Sequence, residues 1–128
     1  MNILVTGGLG HIGSFFLKNI KKINNLKNIY VVDANFGNNF NSLFNKNINR
    51  KINFYLEDVL NFDFNKIKNI DYIIHLASHT NAENSLGKKN FYYKNNFNIF
   101  KRICEVAKKN NSKLIHLSST SIYGKSKG

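Results

Sequence analysis

The residues of this chain best placed to do chemistry together are Thr6-Gly7-Gly8-Leu9-Gly10-His11-Ile12-Gly13 and Asp33. An apolar run, Ile3-Leu4-Val5, leads into the glycines, and a helix-like segment, residues 14–22, follows them. Strand, glycine turn and helix start stand in the order that a phosphate-bearing ligand needs. Glycine permits the tight turn, lets backbone approach a pyrophosphate, and lets the helix pack closely on the strand. The helix start then offers unpaired N–H groups and the positive end of its dipole. A glycine pattern alone is weak evidence, and its context decides. Here a second strand, Ile29-Tyr30-Val31-Val32, ends in Asp33, 20 residues beyond Gly13. A carboxylate at that point accepts hydrogen bonds from an adenosine ribose and repels a 2′-phosphate. Residues 34–38 contain no Arg or Lys to offset the repulsion, so NAD is expected over NADP. The plainer reading of Asp33 is a turn residue at a strand end.

These residues must be positioned by a fold, and composition bounds which one. At 128 residues with 42% hydrophobic and 13% aromatic content, the chain fits one domain with a packed core rather than a disordered segment. No run approaches the roughly 20 apolar residues of a membrane span. Met1-Asn2-Ile3 enters a strand directly, so no signal peptide is expected. Cys104 is the single cysteine; it cannot form an internal disulfide, which suits the cytoplasm. The formal charge of +12 raises nucleic-acid binding. The lysines, however, are scattered among Asn and Ile without a sustained basic run, so neither nucleic acid nor membrane is expected as a partner. No metal site is expected.

Strands are expected at Asn2–Thr6, 29–33, Ile52–Leu56, 71–77 and 113–118. Helices are expected at 12–23 and 91–109, with shorter ones near 40–47 and 62–68. In the longest helix Ile99, Ile103 and Val106 recur at three- and four-residue spacing. Alternating strands and helices imply right-handed crossovers and a parallel sheet covered on both faces. The expected architecture is α/β: a Rossmann-type doubly wound sheet with strand order 3-2-1-4-5, truncated after strand five. Its ligand crevice lies at the carboxyl ends of strands one and four.

Later motifs fall into register with the first. His75-Leu76-Ala77-Ser78 closes strand four, and Asp58-Val59 follows strand three. Tyr92-Tyr93-Lys94-Asn95-Asn96-Phe97 lies in the long helix, and Leu117-Ser118-Ser119-Thr120-Ser121-Ile122-Tyr123-Gly124 follows strand five. With Thr6-Gly7-Gly8-x-Gly10-x-x-Gly13, these motifs resemble the extended short-chain dehydrogenase/reductase family, specifically its NAD-dependent sugar epimerases and dehydratases. The resemblance covers essentially the whole chain. It implies a cofactor site built from Gly7, Gly10, His11, Ile12 and Gly13, and from Asp33 with Ala34 and Asn35. Asp58 and Val59 would sit at the adenine, and Leu76, Ala77 and Ser78 would line the cofactor with backbone. Asn95, with Asn96 as its neighbour, would lie near the nicotinamide ribose. Ser119 matches the family's catalytic Ser or Thr, four residues before the V-Y-G tyrosine. Plainer readings stand beside these. Asp58 could cap a helix, His75 could be a satisfied core histidine, and 118–120 could be a polar strand end.

The resemblance also implies a chemistry. Family members remove a hydroxyl proton from a nucleotide sugar with a Tyr assisted by a Lys four residues later, while a hydride moves to NAD. Tyr123-Gly124-Lys125-Ser126-Lys127 matches that spacing formally. Tyr123 nevertheless occupies the V-Y-G place, so Tyr123 and Lys127 are not expected to be the catalytic pair. The expectation is an incomplete NAD-binding domain over 1–128, the amino-terminal part of a nucleotide-sugar epimerase or dehydratase, inactive alone. It would be a gene fragment, a truncation or a split protein, and a homodimer or a complementing chain would suit it. The alternative is a non-catalytic NAD-binding or sensing module.

Overall fold

A computed structural model describes residues 1–20, 23–35, 52–79 and 85–118, with side chains from residue 90 onward in the last segment. The helix expected near 40–47 and the residues Ser119, Tyr123 and Lys127 lie outside the described residues. Five parallel strands form one sheet in the order β3-β2-β1-β4-β5. They are β1 (Asn2–Thr6), β2 (Asn28–Asp33), β3 (Ile52–Leu56), β4 (Tyr72–His75) and β5 (Lys113–His116). Helix α1 (His11–Asn19) follows β1, and helix α2 (Ser85–Asn110) links β4 to β5.

Side-chain alternation along β1 explains the two layers. Ile3 and Val5 join Ile29, Val31, Leu17 and Ile20 on the α1 face. Leu4 joins Val32, Ile73, Ile99 and Ile103 on the α2 face, with Phe62, Ile67 and Ile70 from the β3–β4 connection. A central strand buried on both sides must be apolar at every position, and Ile3, Leu4 and Val5 are all essentially inaccessible. Register places Thr6 between Val32 of β2 and His75 of β4. The reversal of strand order at β1 therefore opens a crevice at the carboxyl ends of β1 and β4.

Several boundaries differ from the expected ones. Helix α1 starts at His11 and ends at Asn19, short of 23. The Asn19 side-chain amide donates to the Phe15 carbonyl at 2.9 Å, a local bond that competes with helix continuation. The helix expected over 62–68 is a single 3-10 turn, Phe64–Lys66. Phe62, Ile67 and Ile70 must all reach the core, so the chain runs extended along the sheet, and Asp63 caps the one turn through the Asn65 N–H. Helix α2 begins at Ser85 rather than 91, because its first turns carry no apolar spacing from which to read a start. Strand β4 stops at His75 and β5 at His116. After β4, Leu76, Ala77, Ser78 and His79 line the crevice, whereas after β5 the Leu117 N–H still donates to the His75 carbonyl at 3.4 Å.

Strand β5 forms one edge of the described sheet. Leu114 packs on the core, but Ile115 and Leu117 are 49% and 45% exposed. An exposed apolar edge invites pairing with another copy. We expect the purified 128-residue chain to sediment heavier than its 14.7 kDa monomer. Ile115→Lys should shift it toward monomer by placing a charge on that edge. Sedimentation of the unaltered chain as a single monomeric species would refute this.

Candidate functional site

The glycine turn is shaped by what surrounds it. Gly7 has φ +72°, the left-handed region that favours glycine. Its N–H donates to the Val32 carbonyl at 3.0 Å. A Cβ there would lie 2.6 Å from the Ala77 nitrogen and 2.7 Å from the Leu76 carbonyl carbon. Gly7 thus lets the turn lie directly on the exit of β4. Gly13 performs a second close approach, since a Cβ on it would meet the Gly7 carbonyl and lie 2.6 Å from the Gly8 Cα. Gly10 differs: its Cβ would have only the Gly7 oxygen nearby, at 3.4 Å, and otherwise faces open space. Gly10 is also the N-cap of α1, with no side-chain cap. The first-turn N–H groups therefore stand ready for an anion at a place where backbone, not side chain, forms the wall.

Asp33 closes the other side. Its Oδ2 accepts from the Leu9 N–H at 2.8 Å and its Oδ1 from the Asn35 N–H at 2.7 Å. Asn35 itself lies in the left-handed region, with φ 51°. Two backbone donors fix the carboxylate plane, and each oxygen keeps acceptor capacity for a further donor. Asp33 is therefore both the turn residue of the plainer reading and a pre-oriented acceptor. Asp58 also organises a turn: its Oδ1 accepts from the Leu60 N–H at 2.8 Å. Its carbonyl accepts from the N–H groups of Asn61 and Phe62, both at 2.9 Å. No helix follows it, so it caps a turn rather than a helix.

One cleft brings these groups together. Gly7, Gly10, Asp33, Ala34, Asn35, Asp58, Val59, Leu76, Ala77 and Ser78 all line it. Leu9, His79 and Ile99 line it as well, and sequence reasoning did not select them. Leu9 lies inside the glycine motif, Ile99 in the apolar period of α2, and His79 one residue past the β4 motif; those positions were the only signals. His11 and Ile12 are exposed in the first turn of α1, and Gly13 is buried beneath it. Asn95 is half-buried on α2 and does not line the cleft. The neighbouring Asn96 instead bonds the backbone of His79. Open space at Gly10, the uncapped start of α1 and the oriented carboxylate of Asp33 fit a nucleotide with a pyrophosphate and a free ribose.

His75 is 1% exposed and shares a 2.6 Å hydrogen bond, through Nδ1, with the hydroxyl of buried Thr6. Its ring stacks on His116 of β5 at 5.1 Å and on Phe100 of α2 at 6.2 Å. Burial lowers its pKa from the ordinary 6.5 to about 4, with the neighbouring His116 contributing in the same direction. At neutral pH it is an uncharged imidazole that ties β4 to β1. This agrees with the core-histidine reading.

Comparison with known proteins bears directly on this site. The model of the NAD dependent epimerase/dehydratase family matches residues 3–128. The chain belongs to this family. A dTDP-D-glucose 4,6-dehydratase of Dictyostelium discoideum is 34% identical over 129 aligned residues, which cover 95% of this chain and 30% of that protein. Among solved structures, the UDP-N-acetylglucosamine 4-epimerase from Methanobrevibacter ruminantium M1 superposes with a TM-score of 0.84 and 31% identity. That match covers 99% of this chain and 40% of the epimerase chain. The UDP-glucuronic acid 4-epimerase from Bacillus cereus, in complex with NAD, gives a TM-score of 0.78 and 29% identity, covering 100% of this chain and 43% of its own. The chain thus spans less than half the length of these family members. The expected sheet order, 3-2-1-4-5, is the order found. Among the described residues of this epimerase/dehydratase chain, no helix is long and apolar enough to cross a membrane.

Proposed function

We propose that this chain binds NAD in the cleft between the glycine turn, Asp33 and the exit of β4. In a protein of its relatives' length, it would serve an epimerase or dehydratase acting on a nucleotide sugar. The carboxylate of Asp33 carries the reading, held by the N–H groups of Leu9 and Asn35 beside the uncapped start of α1. Gly7 and Gly13 set the backbone, Gly10 leaves room for the pyrophosphate, and the first-turn N–H groups of α1 neutralise its charge. Asp33 accepts from the adenosine ribose hydroxyls. Ala34, Asn35, Asp58 and Val59 enclose the adenine side, and Leu76, Ala77 and Ser78 enclose the other. Bound NAD supplies a reversible hydride acceptor for a sugar carbon. Ser119 is proposed to hydrogen-bond the reacting sugar oxygen.

Tyr123 holds the place of the family's V-Y-G tyrosine rather than that of its catalytic tyrosine. On that reading the 128 residues bind NAD without turning over a sugar by themselves. Epimerisation of a UDP-sugar or dehydration of dTDP-glucose by the purified chain would overturn that part. The single Cys104, a half-buried free thiol, supports a reducing, cytoplasmic setting.

Calorimetric titration with NAD and NADP tests the site. We expect NAD to bind and NADP to bind at least about tenfold more weakly, because the 2′-phosphate would meet the Asp33 carboxylate. Asp33→Ala should weaken NAD by roughly 1.5–3 kcal/mol, the worth of a hydrogen bond to a charged group. Equal or tighter binding of NADP by the unaltered chain would refute the assignment of Asp33.

A further inference from the structure

We infer that Asn96 is a positioning residue for this cleft: it holds the exit segment of β4, residues 76–79, against α2 through both backbone groups of His79. The inference rests on the reading of the cleft as an NAD site. The Asn96 Nδ2 donates to the His79 carbonyl at 3.1 Å, and the His79 N–H donates to the Asn96 Oδ1 at 2.8 Å. One side-chain amide thus pairs a backbone N–H and C=O together, as an adjacent strand would.

The pairing occurs where the sheet stops supplying it. The Leu76 N–H still donates to the Thr6 carbonyl at 3.0 Å. Beyond that bond Ala77, Ser78 and His79 leave the sheet and form one wall of the cleft. A segment released from its strand ladder opens more readily than the core. Asn96 provides an anchor there from a rigid base. It precedes Ile99 and Ile103 by three and seven residues, and both are buried against the sheet. One turn earlier on the same helix, the Tyr92 ring lies 6.2 Å from the His79 ring. The packed position of α2 is thereby passed to the cleft wall.

The glycine turn and Asp33 belong to the β1–β2 side, which takes the adenosine and the pyrophosphate. The exit of β4 lies across the switch point, beside the second mononucleotide half. Loss of the Asn96 clamp should therefore weaken NAD selectively and spare ADP, which lacks that half. The test is calorimetric titration of the unaltered 128-residue chain, Asn96→Ala and Asn96→Asp with NAD and with ADP. Asn96→Ala should bind NAD about tenfold more weakly, as the loss of two hydrogen bonds implies, with ADP affinity unchanged. Asn96→Asp keeps the acceptor for the His79 N–H and should show a smaller loss, again for NAD alone. It also decides the question if the alanine variant does not fold. Unchanged NAD affinity in both variants, or equal losses for NAD and ADP, would overturn the role of Asn96. Failure of the unaltered chain to bind NAD at all would instead overturn the reading of the cleft.

Discussion

Gly7→Ala is expected to destabilise the chain by about 2–5 kcal/mol and to abolish NAD binding. Two causes add. A residue with a Cβ in the left-handed region costs roughly 1–2 kcal/mol, and Gly7 sits at φ +72°. The new methyl would also lie 2.6 Å from the Ala77 nitrogen, and such overpacking costs roughly 1–3 kcal/mol. The neighbour is backbone of the β4 exit, which cannot rotate aside as a flexible side chain could. Against a total stability of roughly 5–15 kcal/mol, thermal melting should fall by on the order of 10 °C. Gly10→Ala is the control. Its Cβ would meet only the Gly7 oxygen, at 3.4 Å, so its melting temperature should stay near that of the unaltered chain. That methyl would nevertheless occupy the space assigned to the pyrophosphate and weaken NAD. Equal melting temperatures for Gly7→Ala and the unaltered chain would remove the close contact between turn and β4 from the account.

Acid should destabilise the fold through His75. Its folded pKa of about 4 lies below the ordinary 6.5. Above pH 6.5 the imidazole is neutral in both states and contributes no pH dependence. Between pH 6.5 and about 4 the unfolded chain takes up a proton that the folded chain refuses, so stability falls as pH falls. Across that window the loss is on the order of 3 kcal/mol, at about 1.4 kcal/mol per pH unit. Below about pH 4 both states carry the proton and this slope ends. Denaturant melts at stepped pH should show the decline, and His75→Gln, which cannot titrate, should flatten it. A slope unchanged in the variant would show that other groups govern acid stability. The consequence is local as well as global. His75 bonds Thr6 and immediately precedes Leu76, so its protonation loosens the junction on which the glycine turn rests.

Much of this architecture is legible in the amino-acid sequence. Ile3, Leu4 and Val5 announce a strand buried on both faces, and Gly7 to Gly13 with Asp33 mark where a phosphate and a ribose would lie. Those signals are local: they depend on side-chain period, on which residues tolerate a turn, and on spacing along one crossover. Helix ends are less legible. The early start of α2 at Ser85 falls among polar residues without apolar period, and α1 stops at Asn19 although Ile20 and Ile23 continue its apolar spacing. The single turn at Phe64–Lys66 reflects the demands of a core that draws Phe62, Ile67 and Ile70 to the same face of the sheet.

The strands, their order and the glycine–aspartate pair could be argued from the sequence by itself, because strand period and turn chemistry are written in neighbouring residues. Tertiary structure alone decided which groups meet. Thr6 and His75 share a hydrogen bond across 69 residues, and Asn96 rather than Asn95 reaches the backbone of His79 across 17. A shift of one residue in strand register, or a rotation of α2 by one position, would exchange those partners. Only packing of the helix and sheet against a shared core selects between such alternatives.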